Sequence, residues 1–266
     1  MERILKHIMP LWAVLIAGSL FLSCKKDGIN YRNSADTYVD KDNARILSVH
    51  ASPDGPQLDF FFNQVKIAGA QPSSLTGLGE GLAYNKTGLQ YVAGYASIKH
   101  GPGRLSIVTP AGETSVPAGT VMYSQDLSLD KSKAYSIFAV GPKVNMTALV
   151  LEDKFIYPPG KAAVRFVNLL SGSPSVKVSY SFTALGQTQP VAGEFATGID
   201  YKGATDFLPV EFGLYVFQVK NAATGANIGG TVSLTASITK NFSLLLRGVM
   251  GSTVTPPLAT TVTQDK

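Results

Sequence analysis

The chain of 266 residues contains a single cysteine, Cys24, and this scarcity excludes several kinds of chemistry. Disulfide bonds and cysteine-rich metal sites both need more than one cysteine. The only tryptophan, Trp12, lies in the same N-terminal segment, so the rest of the chain has neither residue type. Three histidines and a charged fraction of 15% also leave few groups for acid–base catalysis. Apart from Lys25 and Lys26, the basic residues are scattered singly, which disfavours nucleic-acid binding.

The first 24 residues have the layout of a bacterial lipoprotein leader. Arg3 and Lys6 give a positive start, and residues 8–22 form an apolar run that is short for a membrane span. The run ends in Leu-Ser-Cys, which resembles a lipobox, with Cys24 as its last residue. The sequence therefore predicts a signal peptide over residues 1–23 and lipidation of Cys24.

The residues after the leader indicate where such a protein is held. An acylated Cys24 anchors the chain to a lipid surface. Lys25 follows in place of the aspartate that marks retention in the inner membrane, which favours the outer membrane. Residues 24–43 are polar and aperiodic, and a flexible segment of this length reaches roughly 25 Å. We therefore expect a surface-exposed, outer-membrane lipoprotein on a short tether.

The most informative pattern is an internal repeat. The stretch 44–62 returns 118 positions later as residues 162–180, with Pro56 aligned on Pro174. Later strands and turns also find partners, so one unit is built twice. The predicted parts are domain 1 over 44–154, a linker over 155–161 and domain 2 over 162–266. Because the linker is rich in proline, we expect a restricted, end-to-end arrangement of the two domains.

Short strands and turns account for the rest of the composition. The chain has 26 glycines and 15 prolines, and no helical period follows the leader. Strict alternation places Leu58, Phe60 and Phe62 on one face of a strand, with Asp59 and Phe61 on the other. Repeats of about 110 residues with many short strands favour an all-β chain of two tandem immunoglobulin-like β-sandwich domains. A closed barrel is the alternative.

A series of short motifs carries a resemblance to a known family. It comprises Val-His-Ala-Ser-Pro-Asp at 49–54, Leu-Asp-Phe at 58–60, a glycine-led strand at 103–112, and the passage 149–168 that leads through prolines into the second copy. Together these motifs resemble the domain of unknown function 4397 family, which occurs singly or in tandem in bacterial lipoproteins and secreted proteins. The resemblance implies the fold and the cell-envelope location, and it implies no activity.

One cluster in the repeat has the residue types of a hydrolase. Ser52 could act as the nucleophile and His50 as its base. The second copy argues against this, because His50 corresponds to Asn168 and Ser52 to Leu170. A position that accepts histidine or asparagine suits a hydrogen bond to a turn. We therefore predict that His50, Asp54 and Asn168 cap turns, and that the protein is not an enzyme and needs no cofactor.

Two kinds of binding site stay open. Carboxylates near strand ends could supply oxygen ligands to calcium, although their spacing matches no known loop. The candidates are Asp54, Asp59, Glu152 and Asp153. Aromatic side chains outside the core pattern could stack on sugar rings. These are Phe61, Tyr84, Tyr91, Tyr95 and Tyr201.

The sequence favours a non-catalytic cell-envelope lipoprotein that serves as a surface spacer, adhesion or assembly module. The alternative is a glycan-binding accessory lipoprotein that captures polysaccharide. Its expected partners are the membrane, through Cys24, and glycans or envelope proteins, with no nucleic acid.

Overall fold

The computed structural model describes residues 42–69, 81–85, 94–111 and 113–264. The predicted signal peptide, the lipidated cysteine, most of the tether and Tyr91 lie outside these residues and stay predictions. Residues 38–266 belong to one compact unit. The described part of that unit contains sixteen β-strands and one short 3₁₀ helix, Lys143–Asn145.

Eight strands come from each copy of the repeat. Those of the first half are β1 (Asn43–His50), β2 (Asp59–Phe62), β3 (Val65–Ala68), β4 (Ala96–Lys99), β5 (Gly101–Val108), β6 (Val121–Leu129), β7 (Ala134–Val140) and β8 (Thr147–Glu152). Those of the second half are β9 (Lys161–Asn168), β10 (Val176–Ala184), β11 (Val191–Ile199), β12 (Leu208–Glu211), β13 (Gly213–Asn221), β14 (Val232–Ala236), β15 (Asn241–Arg247) and β16 (Leu258–Gln264).

The two halves share one topology. The first half has sheets of order β4-β1-β7-β8 and β3-β2-β5-β6, and the second has β12-β9-β15-β16 and β11-β10-β13-β14. Adding eight to each strand number of the first half gives the second. In both halves the first strand pairs in parallel with the seventh. The predicted all-β fold of two sandwich halves is confirmed, and each half has two separate sheets instead of a closed barrel.

Each half has its own apolar core between its two sheets. In the first half, Leu58, Phe60 and Phe62 are at most 1% exposed and face Ile46 and Ile137 of the other sheet. This is the inward set that the alternation in the sequence predicts. The second half has the equivalent core, built from aromatic as well as aliphatic side chains. Its buried members include Phe166, Phe217, Leu244 and Leu246.

A third core lies between the halves. Leu47 and Phe138 of the first half pack with Val167, Leu169 and Leu245 of the second. The sheets β4-β1-β7-β8 and β12-β9-β15-β16 are therefore inner sheets, packed face to face, and the other two are outer sheets. Every residue of β7 and β15 is buried, because these strands have an apolar partner on both faces. The expected end-to-end arrangement is wrong for this reason.

Candidate functional site

The turn after β1 is built around the buried side chain of His50. Its Nδ1 accepts a hydrogen bond from the backbone N–H of Ser52 at 3.3 Å, so Nε2 carries the proton and donates to the Pro56 carbonyl at 2.8 Å. Burial lowers the pKa of His50 to about 4, and the ring is neutral near pH 7. A Cβ added at Gly55 would lie 2.8 Å from Ser52 Oγ, so the turn is packed tightly against this histidine.

Asn168 occupies the equivalent position after β9. Its Oδ1 accepts from the N–H of Leu170 at 3.2 Å, the same bond from two residues ahead that His50 receives. Its Nδ2 donates to Ser173 Oγ at 2.8 Å and to the Ile199 carbonyl at 3.1 Å. In the first half both ring nitrogens of His50 are bonded to backbone groups. Neither ring nitrogen is therefore free to accept a proton from Ser52, and the imidazole does not act as its base.

Each of the four carboxylates proposed for calcium interacts with another partner. These pairs are Asp59 with Lys66 (2.8 Å), Asp153 with Arg165 (2.7 Å), Glu152 with Lys133 (3.1 Å), and Asp54 with the backbone N–H of Lys143 (2.8 Å). Asp54 thus ties its turn to the 3₁₀ helix that follows β7. Within the described residues no three His, Cys, Asp or Glu side chains are grouped so that they could hold a metal ion.

The strongest polar feature is one that the sequence did not predict. Asp153 of the first half and Arg165 of the second form a salt bridge of 2.7 Å, with side chains 0% and 3% exposed. Tyr95 donates to Asp153 Oδ2 at 2.5 Å, and Ser136 donates to the same oxygen at 2.9 Å. Burial raises the pKa of Asp153, and the Arg165 guanidinium opposes this shift. The pair joins the two halves at one end of their interface.

Side chains of the second half complete this buried network. Arg165 donates from Nε to Ser243 at 2.7 Å and from Nη2 to Ser136 at 2.9 Å. Gln264 donates to the Tyr95 hydroxyl at 2.8 Å. Burial raises the pKa of Tyr95 well above its ordinary value, so its hydroxyl stays protonated and donates. The sequence signal was an arginine inside an otherwise apolar strand, Ala-Ala-Val-Arg-Phe-Val.

A second arginine is buried at the opposite end of the interface. Arg247 is 2% exposed and lies on the same face of β15 as Ser243 and Leu245. Its Nη2 donates to Thr260, whereas Nε and Nη1 have no hydrogen-bond partner among the residues that the structure describes. Burial lowers the pKa of Arg247 to about 10. This end therefore holds a cation without the carboxylate that neutralises Arg165.

The aromatic residues proposed for sugar binding lie in different environments. Phe61 is half-buried on the outer face of β2, and Tyr84 stands edge-on to His50. Tyr95 is part of the buried network, and Tyr201 has the Lys202 ammonium 5.4 Å from its ring centre. Within the described residues no ring contact joins any two of these four, so the structure does not assemble them into one platform.

A groove and a cleft are among the concavities on the surface of the described residues. A groove of about 610 Å³ lies on the outer sheet of the first half, beside Asn63, Arg104 and Asp126, and has no aromatic lining. A cleft of about 260 Å³ lies between β11 and β12 of the second half, and both aromatic rings and carboxylates line it. We name the latter the β11–β12 cleft and take it as the candidate site. The sequence missed it because Tyr180 follows the alternation of a core position.

A match over the first sandwich, the interface strand β9 and the start of β10 identifies the family of the chain. Residues 44–179 match the family described as Domain of unknown function (DUF4397). The chain belongs to this family. The DUF4397 match begins in β1 and ends within β10, so it continues past the first sandwich into the second.

Solved structures give only a distant likeness to this DUF4397 protein. One is CBMbc (family CBM26) from Eubacterium rectale Amy13K in complex with maltoheptaose, with 15% identity, a TM-score of 0.25, and coverage of 82% of this chain and 97% of that one. Another is described as a cell adhesion protein from Bacteroides ovatus, with 6% identity, a TM-score of 0.28, and coverage of 84% and 97%. At such scores neither carries an argument.

No curated protein matches the sequence. Within the described residues, no helix has the length and apolar character needed to cross a membrane.

Proposed function

We propose that the protein is a non-catalytic cell-envelope lipoprotein. Cys24 anchors it to the outer membrane, residues 25–43 form the tether, and the double sandwich is a rigid surface module for spacing, adhesion or assembly. The leader sequence supports the anchor, and the packing of the two halves supports the rigid module.

The packing of the inner sheets is the observation that carries this proposal. The halves share an apolar core around Phe138 and Leu245, and the Asp153–Arg165 salt bridge crosses the same interface. A buried ion pair requires accurate geometry to offset the cost of removing both charges from water. Such a contact favours one fixed arrangement, which suits a protein that must hold its outer surfaces at a set distance from a membrane.

The hydrogen bonds and salt bridges of the titratable groups support a non-catalytic role. His50, the residue best suited to act as a base, is neutral and bonded to backbone on both nitrogens. Asp59 and Asp153 each form a salt bridge. These groups contribute to folding and are not grouped in a pocket, as catalysis requires.

Expression of the full-length chain in a Gram-negative host with an alkyne-bearing fatty acid tests the anchor. We expect the label on the wild-type protein and none on Cys24→Ser, with the wild type in the outer-membrane fraction. Ser34→Ala, in the tether, is a matched control that leaves the lipobox and the cysteine unchanged. Label on Cys24→Ser, or an unlabelled wild type, would contradict the anchor.

Protease treatment of intact cells tests surface display separately. We expect the double sandwich to be released or cleaved in cells whose periplasmic proteins stay intact. Protection of the chain until the outer membrane is broken would place it on the periplasmic face and refute the surface role.

The glycan-binding alternative is favoured by a different observation, the aromatic and acidic lining of the β11–β12 cleft.

A further inference from the structure

The β11–β12 cleft lies where the two sheets of the second sandwich come to an edge. Among the strands that the structure describes, β11 pairs only with β10, and β12 pairs only with β9. Each strand therefore turns one edge of its backbone away from its sheet, and peptide N–H and C=O groups on that edge have no strand neighbour. These groups supply hydrogen-bond donors and acceptors beside a space of about 260 Å³.

One wall of the cleft is the ring of Tyr180, held in place by its neighbours. Tyr180 lies opposite Gly193 in the register of β10 and β11, and a Cβ at Gly193 would be 2.5 Å from its Cζ and hydroxyl oxygen. The ring therefore lies over the glycine and reaches across β11 toward the sheet edge. It packs against Tyr215 with ring centres 5.4 Å apart, and it stays partly exposed. A fixed, half-exposed ring can stack on a ligand at little cost in entropy.

The floor of the cleft is apolar and rigid. Tyr215 is 4% exposed and stacks on Phe182 with ring centres 4.6 Å apart. Burial raises the pKa of Tyr215 to about 12, so this phenol is neutral. Val210 is also buried beneath the cleft.

Carboxylates line the rim. Glu194 on β11 is exposed and has no ion pair within the described residues. Glu211 on β12 forms a salt bridge of 2.6 Å with Lys161. Carboxylates accept strong hydrogen bonds from hydroxyl groups. The ammonium of Lys161 offsets the charge of Glu211, and Glu194 keeps its charge and its acceptor oxygens for the hydroxyl groups of a ligand.

We propose that the β11–β12 cleft binds a pyranose ring of a neutral glycan. Tyr180 stacks on the face of the sugar, Glu194 and Glu211 accept hydrogen bonds from its hydroxyls, and the free strand edges bind the remaining polar groups. This inference rests on the glycan-binding alternative and does not depend on the lipid anchor or on the spacer role.

Calorimetric titration of the chain from residue 25 onward tests the site. The probes are hexasaccharides of α-1,4-glucose, β-1,4-glucose, xylose, mannose and N-acetylglucosamine, each at up to about 10 mM, because an open single-ring site is expected to bind near the millimolar range. We expect saturable binding of at least one of them. Tyr180→Ala should abolish it, and Glu194→Gln should weaken it about tenfold, the equivalent of one charged hydrogen bond.

Tyr123→Ala on β6 of the first sandwich replaces another partly buried tyrosine; it is the matched control and should bind like the wild type. Glu194 is exposed, so its variant reports on the cleft even if Tyr180→Ala unfolds; melting curves of both variants settle that point. Three results would each overturn the inference: no probe binds, binding survives both substitutions, or tetramethylammonium binds and the sugars do not. Labelling of Cys24 is measured independently, so failure of the anchor and failure of the cleft are separate outcomes.

Discussion

Arg165 and Arg247 are both 2% exposed and face the same interface from opposite ends. Arg165 has a carboxylate at 2.7 Å and donates to Ser243 and Ser136. Within the described residues Arg247 donates only to Thr260, and two of its three nitrogens have no partner. At one end of the interface, a carboxylate neutralises the buried charge of Arg165. At the other end, the charge of Arg247 is buried without a carboxylate beside it within the described residues.

This difference separates two contributions to the interface: stability from its apolar residues and a fixed arrangement from its ion pair. The apolar residues between the two ends supply most of the favourable free energy, because their contribution grows with the area removed from water. The Asp153–Arg165 pair gains little net stability but is costly to break. It therefore fixes which arrangement of the halves is allowed. Arg247 has no comparable partner, so its removal should cost little.

Asp153→Asn should have the largest effect. The substitution leaves the Arg165 guanidinium buried without a counter-charge, which typically costs about 3–5 kcal/mol of unfolding free energy. Urea denaturation followed by circular dichroism measures this loss. A change below about 1 kcal/mol would mean that solvent reaches Arg165, contrary to its burial.

The double variant Asp153→Leu/Arg165→Met sharpens this result. Because both charges are removed together, we expect stability close to that of the wild type or higher. Asp126→Asn is the surface control, since its salt bridge with Arg104 is exposed and should change stability little. If the double variant were as unstable as the single one, the loss would come from packing or from the broken hydrogen bonds of Tyr95 and Ser136, and not from charge.

The comparison of His50 with Asn168 predicts a smaller effect that depends on pH. The folded-state pKa of His50 is about 4, below its ordinary value of 6.5. As the pH falls from 6.5 to 4, the His50 imidazole is protonated in the unfolded chain but stays neutral in the folded chain. Stability that is fully present above pH 6.5 is therefore lost over this range, by up to about 3 kcal/mol.

His50→Asn tests this prediction with the residue that the second half already uses. The amide can accept the bond from Ser52 but cannot titrate in this range. Urea unfolding at pH 7 and pH 4.5 should show a smaller loss for the variant than for the wild type. An equal loss in both proteins would assign the pH dependence to other groups.

The sequence predicted the repeated sandwich well, and its failures have a physical cause. Alternation in β2 identified the residues that face their own core. Strands that are largely apolar on both faces, such as β7 and β9, show little alternation, which indicates a second covering layer but not which sheet provides it. Arg165 lies in such a strand, and its partner is chosen by tertiary packing. The alternation in β10 predicts that Tyr180 is a core residue. Its partial exposure depends on the gap between β11 and β12, which the sequence pattern does not show.

Arg247→Met should have the smallest effect on stability. Methionine keeps the apolar length of the side chain and removes a charge that lacks a partner, so we expect the unfolding free energy to stay within about 1 kcal/mol of the wild type or to rise. The same charge helps to keep His50 neutral, so its removal should raise the pKa of His50 and reduce the acid loss described above. Urea unfolding at pH 7 and pH 4.5 measures both effects. A loss as large as that of Asp153→Asn would show that Arg247 has a strong anionic partner, and the two ends of the interface would then be alike.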